Sequence, residues 1–327
     1  MDDRKDAISK SLDTYLLKDL IDITDCYDYN FEGKSTLIGH HNHHIHCVDV
    51  LSCGKIVSGN GISIKIWDPI TLDCLDEFPC LVRCTECSGM SLACLSNKYI
   101  ACGSLCTNDR SLKIINLETK EYEPIDYNNA VYCLRSLQSN LFTSGSLHEI
   151  NIWNAENKSY KINLKGYRGI VSDIRLISDQ YIVGSSSEGE IKIWNIVTKE
   201  CIQTMYAYSG VYSMTVLSDR QIITASDTGL KIWSPGSEAK MNYSYKSTIR
   251  SGYCWLEIIK LPDDRFISYS LNQKIKLWSL ESGIYQPLMY RSTNLTNDDP
   301  AEHNFFTLLA DGRVVSGSSS GLLKIWR

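Results

Sequence analysis

What this sequence lacks excludes several classes of protein. No run of about 18 apolar residues occurs, so a membrane-spanning helix is not expected. The opening MDDRKDAISK is charged and has no apolar core, which argues against a cleaved signal peptide. No Gly-rich phosphate loop, HExxH helix or GxSxG elbow appears, and no spacing pairs a serine with a histidine and an aspartate. An enzyme is therefore not expected, and no cofactor is called for. Phenylalanine is scarce, at 6 residues against 19 tyrosines, which suits rings that keep one end in water.

Cysteine is plentiful, at 13 residues, but the number is odd and the spacing irregular. Cys47, Cys94, Cys102 and Cys133 sit inside apolar, strand-like runs. They read as reduced, buried small hydrophobes of a cytoplasmic protein. Cys84 and Cys87 form one CxxC, but the second pair of a zinc ribbon is missing.

Charge is unevenly spread. Residues 1–33 hold nine acidic and four basic residues, which accounts for the whole net charge of −5. The remaining chain, 34–327, is neutral and gives no electrostatic reason to expect nucleic acid as a partner. Within the acidic arm, Ile8, Leu12, Tyr15, Leu16, Leu20 and Ile23 fall on one face of a helix predicted over 7–24, with Asp6 as its cap.

The rest of the chain repeats itself. Six segments end alike: SIKIWDP at 63–69, INIWNAE at 150–156, IKIWNIV at 191–197, LKIWSPG at 230–236, IKLWSLE at 275–281 and LKIWR at 323–327. A seventh, LKIINLE at 112–118, has Ile115 where the others have Trp67, Trp153, Trp194, Trp233, Trp278 and Trp326. The mean spacing is about 43 residues, the length of a four-stranded propeller blade. Ahead of each phrase stand two apolar strands joined by a polar turn, as in VYSMTVL–SDRQ–IITAS. Apolar residues on both strand faces suit sheets sandwiched between neighbours.

These phrases resemble the WD-repeat family over about residues 34–327. The resemblance implies an all-β fold, a seven-bladed propeller with a short N-terminal helical arm. It also implies that the fourth strand of the last blade comes from the start of the chain, here Lys34–Ile38, closing the ring. In that family a second-strand serine or threonine receives each buried indole N–H. Ser58, Ser144, Thr224, Ser268 and Ser316 stand there, with Cys102 and Gly184 as exceptions. Of the histidine that follows a glycine in the family, only Gly39-His40 or His41 has a counterpart.

The function that the resemblance implies is a scaffold or adaptor that binds protein or peptide partners on one face, the top. Loops entering each innermost strand and turns between second and third strands form that face. They contribute Arg83, Tyr127, Tyr167, Arg168, Tyr208, Arg250 and Tyr253, with Trp255 at the start of the next strand. Tyrosine, tryptophan and arginine are the residues that most often carry interface energy. The alternatives are a fixed subunit of a multiprotein assembly, held by its sides and arm, and recognition of phosphorylated or acidic peptides by the arginines. The chain would be a monomer or one subunit of a hetero-complex. His40, His41, His43, His44 and His46 crowd together, yet no carboxylate or thiolate pattern completes a metal site, so an exposed loop is expected. The loop at 288–302 is longer than its counterparts and is expected to rise on the same face.

Overall fold

The computed structural model describes residues 35–79, 89–105, 112–125, 127, 129–138, 140–236, 241–249, 255–261, 264–270, 275–281, 284–287 and 303–326. The acidic arm with its helix, the loop at 288–302 and the Cys84–Cys87 pair lie outside these residues.

Among the described residues twenty-seven strands form six antiparallel sheets, five of them four-stranded. The sixth has seven strands because Tyr160–Ser178 runs out of one blade and into the next. Its first part pairs with Leu147–Asn154 and its last part with Tyr181–Ser186. Between them Gly166 takes a φ of +119°, a left-handed region that a side chain would resist. The strands therefore group into seven four-stranded blades.

The blades close into a ring. The innermost strands are Cys47–Val50, Met90–Cys94, Cys133–Gln138, the end of Tyr160–Ser178, Val211–Val216, Trp255–Lys260 and His303–Leu308. Each touches the next, and the last touches the first. We number the blades 1 to 7 in that order. Ser35–His40 supplies the outer strand of blade 7, pairing antiparallel with Leu322–Trp326 from Ser35 opposite Trp326 to His40 opposite Leu322. The closure that the sequence implies is thus present, two residues longer than Lys34–Ile38 at its far end.

Burial falls from the centre outwards. The second strand of blade 1, Ile56–Gly59, is buried along its length, whereas its fourth, Cys74–Pro79, is mostly exposed. The core is divided into seven clusters, each lying between two adjacent blades. In six of them a tryptophan of one blade packs on the middle strands of the blade before it. Trp233 of blade 5 meets Val183, Ile191 and Ile193 of blade 4, and Trp67 of blade 1 meets Val315, Leu323 and Ile325 of blade 7. Gly39 on the closing strand makes room for the second case, since a Cβ there would stand 2.2 Å from the Trp67 ring.

Blade 2 has Ile115 in the tryptophan's place and Cys102 in the serine's. Without an indole N–H, no hydroxyl is required to receive one. Phe78 and Tyr122, edge-to-face at 6.5 Å, help fill the interface there.

In blades 1 to 4 the residue after the marker shapes the next turn. Asp68, Asn116, Asn154 and Asn195 each accept backbone N–H groups two and three residues on. The side chain thereby begins the turn into the fourth strand, for which Asp and Asn are suited. Among the described residues no helix is long and apolar enough to cross a membrane.

Candidate functional site

Two features of the ring face solvent from its centre and its rim. The first is the channel enclosed by the innermost strands. One edge of each such strand pairs within its blade, and the other edge would leave its N–H groups unpaired. Side chains of the preceding blade receive several of them. Ser91, Asp173, Ser213 and Glu257 hold equivalent stations on blades 2, 4, 5 and 6. They accept from the backbone N–H of Leu134 (2.9 Å), Met214 (2.9 Å), Ile258 (3.2 Å) and Phe306 (2.9 Å) on blades 3, 5, 6 and 7. Asp49 of blade 1 does the same for Cys94 of blade 2 at 2.8 Å. A belt of side chains thus ties blade to blade around the channel.

Charged groups are concentrated in the same belt. Asp173 is fully buried and binds two arginines, Arg135 at 2.9 Å and Arg175 at 3.0 Å. Burial pushes the Glu257 carboxyl up to about 7, against the pull of Arg135. Burial raises Asp49 as well. In the sequence these groups are scattered over separate apolar runs, which hides their proximity. The signal was there, since a charge in the middle of CLRSL, SDIRL or WLEII has no place in a dry sheet interior.

The second feature is a strip across blades 4 and 5, where loops and turns meet. A Cβ on Gly169 would stand 2.7 Å from Ser187 Oγ, and one on Gly189 would stand 2.5 Å from Ser209 O. Ser209 in turn shares a hydrogen bond with Thr228 at 3.1 Å. Entering loops and second-to-third-strand turns therefore share one face here. Tyr208 stands out on it, 90% exposed, with a φ of +60°. The Lys231 ammonium lies 5.7 Å from its ring centre and also bonds the carbonyl of Ala207. The Arg168 side chain is 80% exposed, with Glu190 3.8 Å away. Tyr212 is 42% exposed and its hydroxyl donates to the Asp227 carboxylate at 3.0 Å.

Not every residue assigned to this face lies on it. Tyr167 is 3% exposed, and its hydroxyl accepts the indole N–H of Trp194 at 3.0 Å. It belongs to the core because Gly184 leaves its hydroxyl a place. Tyr127 is half-buried, edge-on to Trp153 at 5.2 Å, with its hydroxyl accepting from Asn151 at 2.9 Å. Arg83, Arg250 and Tyr253 fall outside the described residues. Trp255 begins the inner strand of blade 6, and only its backbone is described.

The remaining indoles find partners on their second strands. Trp67 donates to Ser58, Trp153 to Ser144, Trp233 to Thr224, Trp278 to Ser268 and Trp326 to Ser316, at 2.6 to 3.1 Å. In blade 1 the network extends to His41, whose Nε2 stands 2.7 Å from Ser58 Oγ. His41 and not His40 therefore holds the family's histidine position.

The histidine run is not uniformly exposed. His41 is buried and His46 partly so, and burial lowers the pKa of each to about 4. His44 stacks on His46 at 6.3 Å. No group of three metal donors occurs among the described residues.

The closed ring of four-stranded antiparallel blades makes the protein a β-propeller. The chain is similar to the WD-repeat family, whose sequence pattern, described as "WD domain, G-beta repeat", matches residues 199–234. No curated protein matches it. Among solved structures it is similar to the one titled "Structure of U3-55K", at a TM-score of 0.70 and 16% identity, covering 90% of this chain and 98% of that one. It is equally similar to "Crystal structure of RRP9 WD40 repeats", at 0.70 and 16%, covering 90% and 97%. At such identity the likeness concerns the fold.

Proposed function

We propose that this protein is a non-catalytic platform that binds a protein or peptide partner on its top face, across the strip formed by blades 4 and 5. The observation that carries the reading is Tyr208. A large ring held almost wholly in water, on a backbone conformation that disfavours side chains, has a cost in the isolated protein. A partner that covers the ring would offset it. Arg168, exposed on the same strip, supplies a second residue type common among interface anchors.

Affinity capture with the intact protein, compared with a Tyr208→Ala/Arg168→Ala double variant of unchanged thermal midpoint, tests this. Loss of the captured partner supports the strip. Capture of the same partners by both forms counts against it. If deleting residues 1–33 removes the partner instead, the reading as a subunit held by its arm gains.

A further inference from the structure

The channel contains a charge imbalance that the fold does not resolve by itself. A cavity of about 230 Å³ opens among the inner strands, lined in part by His46, Tyr132, Arg135, Tyr212, Glu257 and Phe305. Three carboxylates (Asp49, Asp173, Glu257) and two guanidinium groups (Arg135, Arg175) form its charged belt. Asp173 takes both arginines as partners. Both oxygens of Asp49 are occupied by backbone N–H groups, of Val50 and Cys94.

Glu257 is different. One of its oxygens accepts the Phe306 N–H, its only hydrogen bond among the described residues, and the residue lines the cavity. Among the described residues it forms no ion pair, although Arg135, which shares the cavity lining, and Arg175 attract it from farther off. His46, which also lines the cavity, stays neutral at physiological pH and offers an Nε2 without a partner. When all five groups are ionised the belt carries one negative charge in excess, next to open space, and burial otherwise holds Glu257 partly protonated near neutral pH. Such a charge favours a cation strongly and repels an anion.

We infer that the channel is a binding site for a single positively charged side chain, a guanidinium or ammonium group presented by the partner and received by the Glu257 carboxylate. The rings of Tyr132, Tyr212 and Phe305 border the route, and aromatic faces attract cations. Recognition of acidic or phosphorylated peptides is the opposite chemistry, and the excess charge disfavours it at this position. The inference rests on a partner docking on the top face, but the channel can be probed without that partner.

The probe is N-acetyl-arginine amide, titrated calorimetrically into the intact protein, with the citrulline amide as a neutral isostere and inorganic phosphate as an anion. The arginine compound is expected to bind, the citrulline compound to bind at least tenfold more weakly, and phosphate not at all. Between pH 6 and 7, binding should release protons, read from buffers of different ionisation enthalpy, because the cation requires Glu257 ionised. Glu257→Gln keeps an acceptor for Phe306, and the folded variant should lose at least tenfold in affinity. Failure of the arginine compound to bind, equal binding of citrulline, an unaffected Glu257→Gln variant or preferential binding of phosphate would each overturn the inference. The docking strip fails separately, if the Tyr208→Ala/Arg168→Ala variant retains its partners while the probe still binds.

Discussion

The hydroxyl of Tyr167 stands 3.0 Å from the indole nitrogen of Trp194, in space that exists only because residue 184 is glycine. A Cβ on Gly184 would come within 2.3 Å of that hydroxyl. Tyr167 and Gly184 together therefore do what one serine does in four other blades and Thr224 does in blade 5. Tyr167→Phe should cost about 1–3 kcal/mol, because it leaves a buried N–H without an acceptor. Gly184→Ser should destabilise the wild type through the clash, and less so in the Tyr167→Phe background. Urea midpoints of the two single variants and the double variant measure this coupling. Additive effects would contradict the shared site.

The tryptophans carry unequal neighbours but the same task. Trp233→Ala should cost about 3–5 kcal/mol by opening a cavity between blades 4 and 5. Ile115→Ala in blade 2 should cost less, about 2–4 kcal/mol, because a smaller side chain is removed and no hydrogen bond is lost. Equilibrium unfolding of the two variants decides the order.

The belt around the channel predicts a graded loss. Ser91→Ala and Ser213→Ala each orphan one N–H, of Leu134 and of Ile258. Each should lower stability by about 1–2 kcal/mol. The amide of Leu134 or Ile258 should also exchange faster with solvent in the matching variant alone, which hydrogen exchange can read.

Stability should depend on pH in two opposed ways. His41 and His46 have pKa values lowered to about 4, from the usual 6.5. Their neutral burial stabilises the fold above pH 6.5, and that contribution is lost as pH falls towards 4. Glu257 is raised to about 7 from 4.5, so its contribution is present below pH 4.5 and fades as pH rises through 7. Replacing both histidines by glutamine should flatten the acid side of the profile. Glu257→Gln should gain stability relative to wild type between pH 5 and pH 8. Urea midpoints at pH 4, 5, 6.5 and 8 give the signs.

Tyr208 sets stability against binding. Tyr208→Gly relieves the left-handed backbone and removes the exposed ring, so the variant should be at least as stable as wild type, by up to about 1 kcal/mol. The same change should abolish capture of the partner. A destabilised Tyr208→Gly would mean that the ring serves the fold.

The fold was legible in the sequence because each blade repeats its own boundary signals. A tryptophan two residues beyond a lysine, as in blades 1, 4, 5, 6 and 7, and an Asp or Asn turn, as in blades 1 to 4, are local features, set by strand period and turn chemistry. The missing tryptophan at Ile115 was legible for the same reason. The site was less so. Tyr167 and Tyr208 stand at nearly the same place in the segments that lead to Val171 and Val211, and nothing in their neighbours says that one turns inwards. That choice depends on Gly184, 17 residues from Tyr167 in sequence. The channel charges escaped notice because they meet only when seven inner strands are brought to one axis. His41 was distinguishable from His40 only by the register of the closing strand, which slips between Leu37 and Gly39.

That closing strand also fixes when the molecule can be finished. Thr36 lies opposite Ile325, so the two halves of one sheet are separated by almost the whole polypeptide. Six blades are assembled from neighbouring segments and can form as the ribosome delivers them. The seventh must wait for the last strand to emerge. Until then Ser35–His40 has no strand to pair with, and Gly39 is not yet seated against Trp67. The slowest step of maturation should be this encounter of distant ends, with its large loop-closure entropy.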